Sequence, residues 1–506
     1  TRLYHLTNLR ASGSKEQPTG GTEADAATSK REPARCLTPS LYFAHMPRLS
    51  PDASTLAFAA RPDPFGSHST VVELRTMGWD AKSTNADEAA VSSSVLVPIM
   101  REMPSTTDGS SFAGLCGFHD ELATLTWLDS TTLIFHSIAG STKSIFTVKA
   151  GTSGPYDGSM MALRPPGWES GGCVELLGAS GGTAIVQCSS LQKPPSIWAH
   201  RSGEWSKLID VDSLLLDEDK KTGGSLARSA LDALSNARLE TIRVDSGAEA
   251  LCLLPASTTG PLPWVVKIHG GPHSASLDSF NVEAGLFLMS GVAVIYPNYR
   301  GSIGFGQQFI DDLLGHIGEM DVADCVALTK ASLQRFSAEL DPKRGAAYGG
   351  SHGGYLTAWL LGCEDRDLYS CGVLWNPVVD LPAMLGTTDI PEWVAAEGGM
   401  GNEGVEWPIT PEQLVNLHKR SPLSVIDKVS APALMLLGAA DQRVPHKQGR
   451  SWVSALQSLR QKDGDGAAEV MALEFPGDGH AIPSIEGNAH AVQTAVAWLV
   501  ERLKAK

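Results

Sequence analysis

From Pro263 to the last residue, short apolar runs alternate with stretches whose apolar positions recur at helical spacing. Residues 264–268, 292–296, 346–348, 372–375, 433–437 and 470–475 read as buried strands, each a brief run of mostly aliphatic and aromatic side chains. Residues 321–336 and 451–459 carry a helical pattern, and Val492, Ala495, Val496 and Leu499 line one face of a closing helix. Buried strands separated by helices predict a mostly parallel sheet covered by helices on both faces.

Before residue 245 the pattern is different. Three segments each contain a turn, an apolar strand, a polar gap and a second strand: 50–58 with 70–74, 125–135 with 144–148, and 181–186 with 196–200. Their recurrence suggests antiparallel propeller blades, with a single β-sandwich as the alternative. A propeller usually needs at least four blades, and only about three and a partial fourth are legible. The expectation is therefore an incomplete propeller-like domain over residues 1–245 and a second domain over 246–506. Residues 11–31 and 81–94 are polar and poor in aromatics, and read as mobile loops.

Composition narrows the partners. A chain of 506 residues is too long for one ordinary core, which agrees with two domains. Its formal charge of −16 speaks against nucleic acid and acidic membrane surfaces. No apolar run reaches the roughly 18 residues needed to cross a bilayer. The chain opens on Thr1 rather than Met, without a basic-then-apolar leader, the pattern of a processed or incomplete chain. Its 8 cysteines are scattered, with no CxxC pair, which fits free thiols in a reducing compartment and predicts a cytoplasmic location.

The chemistry concentrates after the run Ala346-Ala347-Tyr348, where the chain reads Gly349-Gly350-Ser351-His352-Gly353-Gly354 and then turns helical through 355–361. Gly-x-Ser-x-Gly between a strand and a helix is the sharp turn that exposes a nucleophilic serine at the top of an α/β-hydrolase sheet. A serine hydroxyl needs a base, and the base an orienting acid, which in this fold follow in the order serine, acid, histidine. Asp441, after the strand 433–437, and His480, after the strand 470–475, occupy those places, with Asp478 as a competitor for the acid. The backbone N–H of His352 supplies one oxyanion donor. The loop His269-Gly270-Gly271-Pro272-His273 supplies the second, with Gly271 preferred and Gly270 the alternative. A metal on His269 and His273 is disfavoured, because no helix runs through Gly270-Gly271-Pro272 to bring them onto one face. No phosphate-binding loop is present, and no cofactor is expected.

These residues resemble the prolyl oligopeptidase family of serine peptidases, and within it the acylaminoacyl-peptidases. The resemblance rests on His269-Gly270-Gly271-Pro272, Asn298-Tyr299-Arg300-Gly301-Ser302, the serine turn, Asp441-Gln442-Arg443-Val444-Pro445 and Gly479-His480. Trp375-Asn376-Pro377-Val378-Val379-Asp380 and the stretch from Met384 to Trp393 are similar to the acylaminoacyl-peptidases in particular. It implies removal of an N-acylated, typically N-acetylated, residue from short peptides, a gating propeller and assembly into homo-oligomers. It further implies Ser351, Asp441 and His480 as the triad, and Gly271 and His352 as the oxyanion donors. Arg300 binds a substrate carbonyl or carboxylate, or else serves a structural ion pair. A carboxylesterase or an endo-acting oligopeptidase of the same superfamily is the alternative activity. Full members carry a longer propeller.

Overall fold

The computed structural model describes residues 226–504 apart from 258–259, 402–404 and 464–468. It describes the N-terminal part in segments, chiefly 43–61, 71–79, 93–102, 114–116, 124–150 and 161–211. Of the two expected loops, 11–31 and all of 81–94 but its last two positions lie outside the described residues.

Among these residues, the C-terminal part is built on one sheet of eight strands. Its order is Arg238–Arg243, Glu249–Leu254, Ala293–Asn298, Leu262–Ile268, Leu340–Gly350, Cys371–Trp375, Ala433–Gly438 and Val470–Phe475. The first two pairings are antiparallel and the remaining five parallel. Alternate side chains of each strand enter opposite cores, as the pleat requires. Trp264, Val266, Ala347, Met435 and Leu437 face one layer, where Leu328, Leu356 and Trp452 come from three covering helices. Val265, Ala346, Tyr348, Leu434 and Leu436 face the other, against Leu234, Phe287 and Leu499. All six strands read from the hydropathy pattern are present, in an α/β-hydrolase sheet.

Two elements N-terminal to residue 245 join this sheet and not the preceding part. The strand Arg238–Arg243 pairs residue for residue with Glu249–Leu254, and the helix Leu226–Ser235 contributes Leu234 to the second core. The expected division at 245 therefore falls inside a hairpin, and the hydrolase layer begins before it. The two strands escaped the sequence reading because they form an antiparallel hairpin ahead of the alternating strand–helix pattern.

The N-terminal part is all β. The strands Phe43–Leu49, Thr55–Arg61, Glu73–Gly78 and Ser94–Val97 form an antiparallel four-stranded meander. A second antiparallel group runs through Thr126–Trp127, Thr132–Ala139, Thr142–Lys149 and Met161–Leu163. A third comprises Cys173–Ser180, Thr183–Ser190, Lys193–Arg201 and Glu204–Asp210. The second and third touch through one parallel bridge, Cys173 with Lys143. Three blade-like units match the three repeats read from the sequence, but no closed ring exists among the described residues, so an all-β domain is established and a propeller is not.

The two parts pack closely. Asp278 accepts hydrogen bonds from Gly172 N–H (2.6 Å) and Leu191 N–H (2.9 Å) across the boundary. Ser141 Oγ donates to Glu249 and accepts from Asn298 Nδ2. Ile303 and Ile310 of the hydrolase part complete a core with Leu74, Leu133 and Phe135. Cys116, Cys173, Cys188, Cys252, Cys325, Cys363 and Cys371 are free thiols, and burial pushes the Cys116 and Cys252 thiols up to about 12. Among the described residues no helix is long and apolar enough to cross a membrane.

Candidate active site

Ser351 follows the strand Leu340–Gly350 and precedes the helix His352–Gly362, with φ 58° and ψ −121°. That conformation is strained for a residue with a side chain and persists because its surroundings dictate it. The flanking glycines have a steric cause. A Cβ on Gly349 would lie 2.3 Å from the Gly353 carbonyl carbon, and one on Gly353 would lie 2.2 Å from Ile268 O. Nothing larger than hydrogen fits where the turn folds back between strand and helix.

His480 and Asp441 arrive on neighbouring loops at the C-terminal edge of the same sheet. His480 Nδ1 meets Asp441 Oδ2 at 2.6 Å. The buried carboxylate accepts at Oδ1 from Arg443 N–H and Val444 N–H, both at 2.9 Å. Asp478, the rival acid, instead accepts from Ser484 N–H and Ser484 Oγ at the start of the last helix. Gly438 lets the two loops cross, because a Cβ there would lie 2.3 Å from Gly479 O. Since Asp441 is the acceptor, Nδ1 carries the proton and Nε2 presents its lone pair.

One residue that locks this arrangement had no reading of its own in the sequence. Asn376, at φ 41°, donates through Nδ2 to His480 O at 2.7 Å and accepts at Oδ1 from Gly438 N–H at 2.8 Å. It ties the histidine loop to the acid loop. Its partners lie 104 and 62 positions away, so no local period signals the role.

Gly270, Gly271, Ser351 and His480 line one cavity of about 610 Å³, together with the apolar Val378, Met384, Ile390, Trp393 and Val444 and the polar Ser274, Glu392 and Arg443. A Cβ on Gly270 would stand 3.2 Å from Ser351 Cβ, so this loop passes directly beside Ser351. The His352 side chain points away from the cavity into the core, where Nε2 donates to Asp321 Oδ2 at 2.8 Å. Its backbone N–H lies at a helix N-terminus, where no intrahelical acceptor exists.

The other residues singled out in the sequence go elsewhere. Arg300 forms a two-pronged pair with Asp324, Nε to Oδ2 at 2.8 Å and Nη2 to Oδ1 at 2.9 Å, and is not among the cavity-lining residues. Of the two roles expected for it, the geometry fits the structural ion pair, and that pair raises the guanidinium above its usual range. His269 stacks on Tyr299 with ring centroids 4.5 Å apart and meets Ser302 Oγ at 2.9 Å. Burial pushes it down to about 4, so it is neutral. His273 Nε2 pairs with Glu397 and its Nδ1 meets Gly301 O, so both of its ring nitrogens have partners.

Comparison with known proteins places the chain among serine peptidases. A model described as the prolyl oligopeptidase family matches residues 278–506, and one described as the acylamino-acid-releasing enzyme N-terminal domain matches residues 3–208. The acylamino-acid-releasing enzyme of Mus musculus is 30% identical over 471 residues, covering 90% of this chain and 58% of the relative. Acylamino-acid-releasing enzyme 2 of Oryza sativa is 29% identical, covering 95% of this chain and 61% of the relative. The chain thus spans about three fifths of the length of these relatives. In fold it is similar to the acylaminoacyl peptidase of Pyrococcus horikoshii, with a TM-score of 0.69 at 18% identity over 94% of this chain and 64% of that one. It is also similar to a puromycin hydrolase, with a TM-score of 0.65 at 20% identity over 93% and 71%.

Proposed function

The chain belongs to the prolyl oligopeptidase family of serine peptidases, and from that membership we propose that it is an exopeptidase releasing an N-acylated amino acid from short peptides. The observation that carries the reading is the convergence of Ser351 and His480 on one cavity, with Asp441 holding the histidine by its other nitrogen. The acylated residue sits in the cavity with its side chain against Val378, Ile390 and Trp393. Ser351 Oγ attacks its carbonyl carbon while His480 Nε2 takes the hydroxyl proton. Asp441 stabilises the imidazolium, and the N–H groups of Gly271 and His352 receive the oxyanion. The C–N bond then breaks, with the proton passing to the leaving amine, and water releases the acyl-enzyme by the same steps. No cofactor is needed.

Acetyl-alanyl and acetyl-methionyl peptides, assayed beside the same peptides with free amines and a simple ester, test the substrate class. Preference for the blocked peptides is expected. Preference for the ester points to a carboxylesterase, and internal cleavage of longer peptides to an endo-acting oligopeptidase; either overturns the reading. Ser351→Ala should abolish turnover and labelling by a fluorophosphonate without lowering the melting temperature, because alanine keeps the Cβ and removes only the hydroxyl that makes the covalent bond. Residual turnover within about tenfold of wild type contradicts the nucleophile assignment. Cytoplasmic location and assembly into homo-oligomers remain part of the proposal, supported by the family and tested by fractionation and sedimentation.

A further inference from the structure

The loop that carries Gly271 is tied at two points to the helix Pro391–Glu397, which also forms one wall of the cavity. Trp393 Nε1 donates to Gly271 O at 3.1 Å, and His273 Nε2 meets Glu397 Oε1 at 2.8 Å. The other nitrogen of His273, Nδ1, meets Gly301 O at 2.7 Å. A neutral imidazole has one N–H and one lone pair, so it cannot donate to a carboxylate and a carbonyl together. With the Gly301 carbonyl at one nitrogen and the Glu397 carboxylate at the other, both of which raise its pKa, His273 is favoured as an imidazolium, sealed from water beside Glu397 with side chains only 5% and 0% exposed.

The strut acts on the oxyanion donor through a very short lever. Gly271 has φ 121°, and a Cβ on it would lie 2.6 Å from His273 N. The chain doubles back here, so that Gly271 packs directly against the His273 backbone. We propose that His273 and Glu397, together with Trp393, are positioning residues that aim the Gly271 N–H at the oxyanion, through a buried imidazolium–carboxylate strut. The inference rests on the serine-nucleophile reading above and adds to it a device that fails at alkaline pH.

The sign follows from the groups around the ring. Burial opposes the charge on His273, but Glu397, the Gly301 carbonyl and, more remotely, Asp311 outweigh it and raise its pKa above the ordinary value. On its own loop it faces His269, which is neutral. The strut is intact below the raised pKa and is lost as pH rises through it, so activity should decline on the alkaline side. Removing the carboxylate moves that decline to lower pH.

The test is the rate at which a fluorophosphonate labels Ser351 as pH is raised, since phosphonylation also needs the oxyanion donors. Glu397→Gln should label about tenfold more slowly at neutral pH, a fraction of the cost of deleting a donor outright. Its alkaline decline should begin at least about one pH unit earlier. Trp393→Phe, which keeps an aromatic ring but loses the N–H, should slow labelling while leaving the alkaline decline in place. If Glu397→Gln melts lower than wild type but labels at the same rate with the same alkaline limb, the pair is merely structural and the proposal falls. If Glu397→Gln does not fold, an unchanged labelling rate in Trp393→Phe overturns it instead. Normal labelling without turnover of acetylated peptides would count against the exopeptidase reading alone.

Discussion

The Asp441 carboxylate divides its oxygens, Oδ1 on two backbone N–H groups and Oδ2 on His480. In Asp441→Asn the amide oxygen stays with the two N–H donors and its NH₂ faces Nδ1. The imidazole must then carry its proton on Nε2, where the base is needed, and turnover should drop by about 10⁴. Asp478→Asn, whose side chain hydrogen-bonds Ser484 and not His480, should cost less than about tenfold in the same assay. A reversal of the two effects would reassign the acid. Asn376→Ala removes the tie between His480 O and Gly438 N–H, leaving a buried N–H without its acceptor. Denaturant unfolding should show a loss of about 1–3 kcal/mol. Of these residues, Ser351, Asp441 and His480 were singled out from their order along the chain, with Asp478 as the competing acid; the structure places Asp441 on His480 and Asp478 on Ser484, which caps the last helix.

Among the elements, the serine turn leaves no room for a single methyl group at Gly353. Gly353→Ala puts Cβ against Ile268 O (2.2 Å) and His269 O (2.9 Å), both backbone atoms that cannot swing aside. A loss of about 3 kcal/mol or more, or failure to fold, is expected from melting curves. Gly350→Ala meets nothing nearer than 3.6 Å and should stay within about 1 kcal/mol of wild type. Equal effects would mean that the crowding does not decide the motif. The helices Leu381–Leu385, Pro391–Glu397 and Pro411–Lys419 lie in the long excursion between the strands Cys371–Trp375 and Ala433–Gly438. They supply Met384, Trp393 and Glu397, yet none was read as a helix. Each spans only one to three turns, too short for a helical period to stand out from the apolar run of a strand.

Over the whole molecule, Asp278 is one of the direct couplings between the all-β part and the hydrolase sheet, accepting from two N–H groups across the boundary. Asp278→Ala leaves both donors buried and unpaired, a loss of about 3 kcal/mol. The expected result is a lower melting temperature and faster proteolysis within residues 161–211. Unchanged digestion would show that the apolar core shared by Leu133, Phe135 and Ile303 is sufficient by itself. The repeats in the hydropathy pattern foresaw three antiparallel units but not how they are arranged, since ring closure depends on contacts between blades and not on the strands within each.

Strand spacing, the glycines around Ser351 and the sequence order of Asp441 and His480 determined the parallel sheet and where its chemistry lies. These are local properties: a buried parallel strand must be apolar throughout, and a strained turn must be flanked by glycine. The partner of each polar group was decided only by the tertiary structure. Arg300 meets Asp324, His352 meets Asp321, and His273 meets Glu397 across 124 positions. The strand Arg238–Arg243 likewise joined the hydrolase sheet through its neighbour and not through its own pattern. Hydrogen bonds of this kind depend on where two distant side chains arrive once both cores have packed, and neither composition nor period along the chain records that meeting.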